Sequence, residues 1–220
     1  MSGPLALVGG GEWQAGCDFD RALLEESGTD EVLVLPTAAA YEGPQAAVDT
    51  ASAWFGGLGA KVRPLMVLKR HEAEDAEVAA VARAAKFIYI GGGSPLHLRS
   101  VLKDSALWEA MCEAWQDGAV LAGSSAGAMA LCDPMIDPRG GAYTLGLGLV
   151  TQLAVLPHVD EWSPDKFRRS LELLPAGTRL VGLEERTAVI RSADGTWRAE
   201  GEGRVHVWAD GREADISALP

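Results

Sequence analysis

Cysteine is scarce in this 220-residue chain, and its scarcity is informative: Cys17, Cys112 and Cys132 are odd in number and show no C-x-x-C spacing. That pattern fits free or buried thiols and argues against a disulfide framework or a zinc site. Basic residues are also few. Nineteen Lys and Arg stand against 31 Asp and Glu, a formal charge of −12 with no basic stripe, which disfavours nucleic acid as a partner because phosphate binding needs clustered cations. Long apolar runs are missing, none approaching the roughly 18 residues of a membrane span. The opening Met1-Ser2-Gly3-Pro4-Leu5 has no basic segment followed by an apolar core. A cytoplasmic location with no membrane association is therefore expected. Linkers, internal repeats and low-complexity segments are absent as well, so one domain over 1–220 is expected.

What the chain does have is alternation. Short apolar runs at Leu5–Val8, Glu31–Leu35, Lys61–Leu68, Lys86–Ile90 and Val120 onward read as strands. Helical spacing separates them at Asp20–Glu26, Pro44–Phe55, Glu72–Ala85, Leu96–Leu102 and Leu107–Trp115. Strands alternating with helices predict an α/β protein with a mostly parallel sheet covered on both faces, of the flavodoxin-like kind. Beyond Gly140–Gly148, a glycine-rich loop, the strand Leu153–Leu156 leads to Pro157-His158, and a helix starts at Ser163-Pro164. The tail changes character: Leu180–Leu183, Thr187–Ile190 and Arg204–Trp208, separated by hairpin-type turns, predict an antiparallel extension of the sheet.

The chain is organised about Val120-Leu121-Ala122-Gly123-Ser124-Ser125-Ala126-Gly127-Ala128. An apolar strand enters G-x-S-x-G and a small-residue helix leaves it, the pattern of a nucleophile elbow presenting Ser125 at a sheet edge. Strand and helix can approach only if the flanking residues are small, as Gly123, Ala126, Gly127 and Ala128 are. A bare G-x-S-x-G is common; the strand before it and the helix after it are what favour a nucleophile here. The Ala126 N–H beside such a serine points toward an oxyanion, with a second N–H from the Gly91-Gly92-Gly93 turn, Gly92 or Gly93. Active sites in parallel sheets lie at the carboxyl ends of the strands, which places both turns on one rim. The other glycine turn, Gly9-Gly10-Gly11, lacks the later glycine of a dinucleotide fingerprint and the G-K-[ST] of a P-loop, so it reads as a strand-to-helix turn.

A serine nucleophile needs a base. Of His71, His97, His158 and His206, His158 directly follows an apolar strand and so belongs at that strand's carboxyl end, facing the elbow. The carboxylate that would orient it is open among Asp133, Asp137, Asp160, Glu184 and Glu185. No metal site or cofactor is expected, since His158 and Asp160 alone are too few ligands.

These residues resemble a known family. Ile90-Gly91-Gly92-Gly93, the elbow Gly123–Ala128, and Gly146-Leu147-Gly148-Leu149-Val150 leading to Pro157-His158 together look like the serine peptidases that include dipeptidase E (aspartyl dipeptidase) and cyanophycinase, over about Leu5 to Ile190. The resemblance implies a class I glutamine amidotransferase-like fold, Ser125 as nucleophile and His158 as base. Through the segment Asp133-Pro134-Met135-Ile136-Asp137-Pro138-Arg139-Gly140 it favours Asp133 as the acid. The loop before that aspartate is short for the family, which keeps Glu184, Glu185 and Asp160 as alternatives. It further implies a serine exopeptidase cleaving short peptides, with a preference for N-terminal Asp, or a cyanophycinase-like enzyme acting on β-aspartyl peptides. Binding an aspartate side chain calls for an arginine fork, for which Arg168, Arg169 and Arg139 are the candidates. An α/β-hydrolase esterase and a non-catalytic amino-acid or peptide binder are the competing readings. The oligomeric state is open, a homodimer included.

Overall fold

A computed structural model describes residues 2–220. The first half of the chain runs β1 (Leu5–Val8), α1 (Phe19–Ser27), β2 (Glu31–Leu35), α2 (Pro44–Gly57), β3 (Lys61–Pro64), α3 (Ala76–Ala84), β4 (Phe87–Ile90), α4 (Pro95–Leu102), α5 (Ala106–Gln116), β5 (Val120–Ser124) and α6 (Ala126–Leu131). Four two-residue strands follow, β6 (Cys132–Asp133), β7 (Met135–Ile136), β8 (Tyr143–Thr144) and β9 (Val150–Thr151). The remainder is β10 (Leu153–Pro157), α7 (Pro164–Glu172), β11 (Arg179–Leu183), β12 (Thr187–Arg191), β13 (Trp197–Gly201), β14 (Val205–Ala209) and β15 (Arg212–Ala214).

The main sheet has the order β13-β12-β1-β5-β4-β2-β3. The five strands from β1 to β3 along that order are parallel, and β12 and β13 continue the sheet antiparallel. Its inner strands β1, β5, β4 and β2 are buried on both faces because both faces are covered, whereas the edge strands β3 and β13 carry polar, more exposed residues. Leu5, Leu7, Leu33, Leu35, Ile88, Ile90 and Leu121 pack on one side with α3, α4, α5 and α6. Their alternating neighbours Ala6, Val8, Val32, Val34, Phe87, Tyr89, Val120 and Ala122 pack on the other with α1 and α2. The helices begin where polar side chains satisfy the first-turn N–H groups: Asp75 accepts from Glu77 and Val78, Ser94 from His97, and Ser105 from Trp108. Pro64 closes β3, so the third strand is shorter than the run to Leu68 suggests. Similarly, a 3-10 turn at Arg70–Glu74 precedes α3, which starts only after its Asp75 cap.

One expectation for the tail is corrected. Only β12 and β13 extend the main sheet; β10, β11, β14 and β15 form a separate four-stranded sheet in that order. Alternating apolar runs specify that strands exist and which face is buried, but not which of two sheets each joins. The chain crosses between the sheets at 184–186, between β11 and β12. Backbone bonds close the seam there: the His158 N–H donates to Gly9 O at 2.9 Å, the Arg186 N–H to Gly10 O at 2.8 Å, and the Gly9 N–H to Thr187 O at 2.8 Å. The carboxyl ends of β1, β5 and β10 thus meet at one place.

Candidate active site

Ser125 sits between β5 and α6 with φ 48° and ψ −106°, a conformation a non-glycine residue adopts only when its surroundings enforce it. Its N–H donates to Val8 O at 2.9 Å, which fixes the bend against β1. The glycines on either side are required by contact. A Cβ on Gly123 would lie 2.7 Å from Gly127 C, and one on Gly127 would lie 2.6 Å from Ile90 O. The sharp turn exists because strand and helix backbones touch, and it leaves the Ser125 side chain half-buried at the rim.

His158, held in the left-handed region at φ 50° and ψ 41°, comes from the end of β10. Its Nε2 lies 2.9 Å from Ser125 Oγ, and its Nδ1 lies 2.9 Å from Glu185 Oε1. With Nδ1–H donating to the carboxylate, Nε2 is left to accept the serine proton. Gly10 makes room for the ring: a Cβ there would fall 2.1 Å from His158 Cε1, and its φ of +115° is one that side chains disfavour. The His158 and Glu185 side chains are 29% and 37% exposed, so the relay is sheltered yet reachable from solvent.

The other candidate acids are directed elsewhere. Asp133, favoured by the family resemblance, is not at the histidine; its Oδ1 accepts the Gly146 N–H at 2.9 Å, because pairing of β6 with β9 turns it toward that loop. Asp137 is held by Arg139, which lowers its carboxyl to about 2 through its side-chain hydrogen bond, then through its backbone N–H. Asp160 is exposed. Glu184 accepts the Arg204 N–H at 3.0 Å and lies 3.5 Å from His206.

The expected oxyanion donors also need correction. The Gly92 N–H is already committed, donating at 2.8 Å to Glu12 Oε1. The Ala126 N–H, at the first position of α6, has no intrahelical acceptor and remains available, with Gly93 as the neighbouring backbone donor in the turn. Glu12 was not visible as a site residue in the sequence. The signal was a third glycine turn, Gly9-Gly10-Gly11, at the carboxyl end of β1 and followed at once by an acid. Its Oε2 also accepts the Ser124 hydroxyl at 2.8 Å.

The arginines proposed for substrate stay on the surface. Arg168 pairs with Asp165 and Glu172 within its own helix, Arg139 pairs with Asp137, and Arg169 is exposed. The structure brings Arg186 to the rim instead: its Cγ would touch a Cβ placed on Gly11 at 3.2 Å, beside Glu185, and its guanidinium reaches Glu202 at 3.3 Å. A cleft of about 320 Å³ is walled by Trp162, Phe167 and Trp208 with Asp160, Glu184 and His206; none of Ser125, His158 and Glu185 lines it. His158, Glu161 and Glu185 together could hold a cation only by giving up the bond from His158 to Glu185. Among the described residues, no helix is long and apolar enough to cross a membrane.

A serine on a strained strand-to-helix turn, a histidine on its oxygen and a carboxylate on that histidine are the geometry of an α/β serine hydrolase. The model of peptidase family S51 matches residues 5–197, and the chain belongs to this family. Cyanophycinase of Synechococcus elongatus is 31% identical over 153 residues, covering 65% of this chain and 48% of that protein. Cyanophycinase of Trichormus variabilis is 30% identical over 166 residues, 70% of this chain and 55% of that protein. The chain thus spans about half the length of these curated relatives. The crystal structure of a peptidase from an acI-B1 actinobacterium superposes with a TM-score of 0.88 at 32% identity, over 97% of this chain and 93% of that one. A putative peptidase E protein from Listeria monocytogenes shares the fold, with a TM-score of 0.70 at 19% identity over 92% of this chain and all of that one.

Proposed function

We propose that this protein is a serine exopeptidase acting on short peptides. The observation that carries the reading is the continuous relay Ser125 Oγ to His158 Nε2 to Glu185 Oε1, both links 2.9 Å, at the rim where the sheet's strands end. In acylation, Ser125 Oγ attacks the scissile carbonyl as its proton passes to His158 Nε2, and Glu185 stabilises the imidazolium that forms. The oxyanion is received by the Ala126 N–H and a second donor from the Gly93 turn. His158 then gives the proton to the departing amine. Water, deprotonated by the same nitrogen, releases the acid and restores the serine.

The finer reading is a dipeptidase preferring N-terminal aspartate, supported by the resemblance to dipeptidase E. A second reading, hydrolysis of β-aspartyl peptides, is favoured by the two cyanophycinase relatives at 30–31% identity. Both place an aspartyl residue on Ser125, and Arg186, next to Glu185 in the chain, is the cation we assign to its side chain. The test is a panel of α- and β-linked aspartyl dipeptides, other dipeptides, N-blocked peptides and a p-nitrophenyl ester, run on wild type and Ser125→Ala. Turnover of free dipeptides that vanishes in Ser125→Ala supports the exopeptidase reading. Efficient cleavage of internal bonds in long peptides, or turnover of the ester alone, refutes it.

A further inference from the structure

The carboxylate of Glu12 stands near the nucleophile and takes no part in the relay. An ideal Cβ built on Gly92 would lie 3.0 Å from Glu12 Oε1 and 3.5 Å from Ser125 Cβ, so the gap beside Gly92 is bordered by both the acid and the serine. The arm is fixed at both oxygens, by the Gly92 N–H at 2.8 Å and the Ser124 hydroxyl at 2.8 Å, and it is half-buried. A negative charge held there opposes the oxyanion that attack by Ser125 creates, and it occupies a backbone donor that would otherwise serve that oxyanion. Among the described residues nothing basic is paired with it: its two hydrogen-bond partners are a backbone amide and a hydroxyl. Each oxygen keeps a lone pair free to accept a further bond. The arrangement is unfavourable for a neutral substrate and favourable for one that brings its own cation to that gap.

We infer that Glu12 is the specificity-determining residue that binds the free α-ammonium of the residue to be acylated, and so makes the enzyme read the amino end of its substrate. In an N-terminal residue the ammonium is one carbon from the carbonyl under attack, which suits a carboxylate that borders the same gap as Ser125. The bound cation cancels the charge that would oppose the oxyanion. An N-acylated residue leaves that charge unopposed and brings only an amide to it. This rests on Ser125 being the nucleophile as proposed above.

The test uses diphenyl esters of 1-aminoethylphosphonate, one with a free amine and one N-acetylated; each forms an Oγ–P bond with Ser125 and releases phenol, whatever the natural peptide is. Labelling rates are followed by intact mass on wild type, Glu12→Gln and Glu12→Asp. Wild type is expected to react with the free-amine ester about 10- to 100-fold faster than with the acetylated one, the size of one charge-assisted hydrogen bond. Glu12→Gln, nearly isosteric, brings that ratio to near unity while still labelling with the acetylated ester, and Glu12→Asp keeps part of it. Equal ratios in wild type and Glu12→Gln, or parallel loss of both labelling rates in Glu12→Gln and Glu12→Asp, overturn the inference and leave the hydrolase reading standing. Wild type inert to both esters overturns the hydrolase reading and this inference with it.

Discussion

Replacing Glu185 by Gln removes a charge and reverses a hydrogen bond at constant shape. As His158 takes the serine proton, an imidazolium forms with Glu185 Oε1 2.9 Å from its Nδ1. Taking charge centres about 4 Å apart and an effective dielectric of about 20 to 40, because both groups are partly exposed, the lost attraction is about 2 to 4 kcal/mol. That corresponds to roughly 30- to 1,000-fold in kcat. A further loss comes from the tautomer: the amide NH2 of the substituted side chain can donate to Nδ1, which moves the imidazole proton to Nε2 and leaves no acceptor for the serine, so up to about 10⁴-fold is expected in all. KM for a small substrate should change little, since Glu185 touches the histidine and not the peptide. The assay is steady-state dipeptide hydrolysis on Glu185→Gln beside Asp133→Asn. Full activity in Glu185→Gln, or a larger kcat loss in Asp133→Asn than in Glu185→Gln, would refute the assignment of the acid.

Three further outcomes are expected. Asp133→Asn should retain activity but lose about 1 kcal/mol of stability, since its charged acceptor on the Gly146 N–H is replaced by a neutral one; urea melts and kcat on the same sample check both. Gly10→Ala should abolish turnover without unfolding the chain, because the new methyl would overlap the His158 ring; native-like circular dichroism with wild-type kcat would contradict it. Asp20, fully buried, has its carboxyl pushed up to about 8 by burial and by nearby Glu12, against a lowering from the Trp54 Nε1–H bond at 2.9 Å. It therefore stays protonated in the folded state at neutral pH while the unfolded chain releases the proton near pH 4, so its contribution is fully present below about pH 4 and is lost as pH rises to about 8. Asp20→Asn keeps the acceptor for Trp54 without the titration. Its stability by urea denaturation should gain on wild type between pH 5 and 8 by several kcal/mol in order of magnitude, and parallel pH profiles would disprove the cause given.

Much of this architecture could be read from local pattern. Alternating apolar runs and capped helices marked the parallel sheet, and G-x-S-x-G between a strand and a small-residue helix marked the bend at Ser125, because those signals are carried by neighbours in sequence. Pro157-His158 at the end of β10 was legible for the same reason, and the structure brings its ring to Ser125. The acid was not, since its identity depends on where the chain passes from one sheet to the other. Glu184, Glu185 and Arg186 are consecutive, yet the first turns to β14, the second to the histidine and the third to Glu202. Asp133 carried the stronger motif but is drawn to the Gly146 turn by a two-residue strand pairing that no periodicity reveals. Glu12 was hidden for a related reason: its partners lie 80 and 112 residues away, and the glycine turn before it marks the rim without saying what the acid meets there. For Arg168 and Arg169, a helix after the histidine says nothing about which face looks to the site, and both side chains are exposed.

A Ser125 hydroxyl made nucleophilic by His158 is open to covalent capture by a phosphorus electrophile. Wild type, Ser125→Ala and His158→Ala are treated with a fluorophosphonate, and the adduct is located by peptide mass mapping. A single adduct on Ser125, absent in Ser125→Ala and slowed by orders of magnitude in His158→Ala, is the expected result. An unmodified wild type, or a label carried by another residue at the same rate in all three proteins, would contradict it.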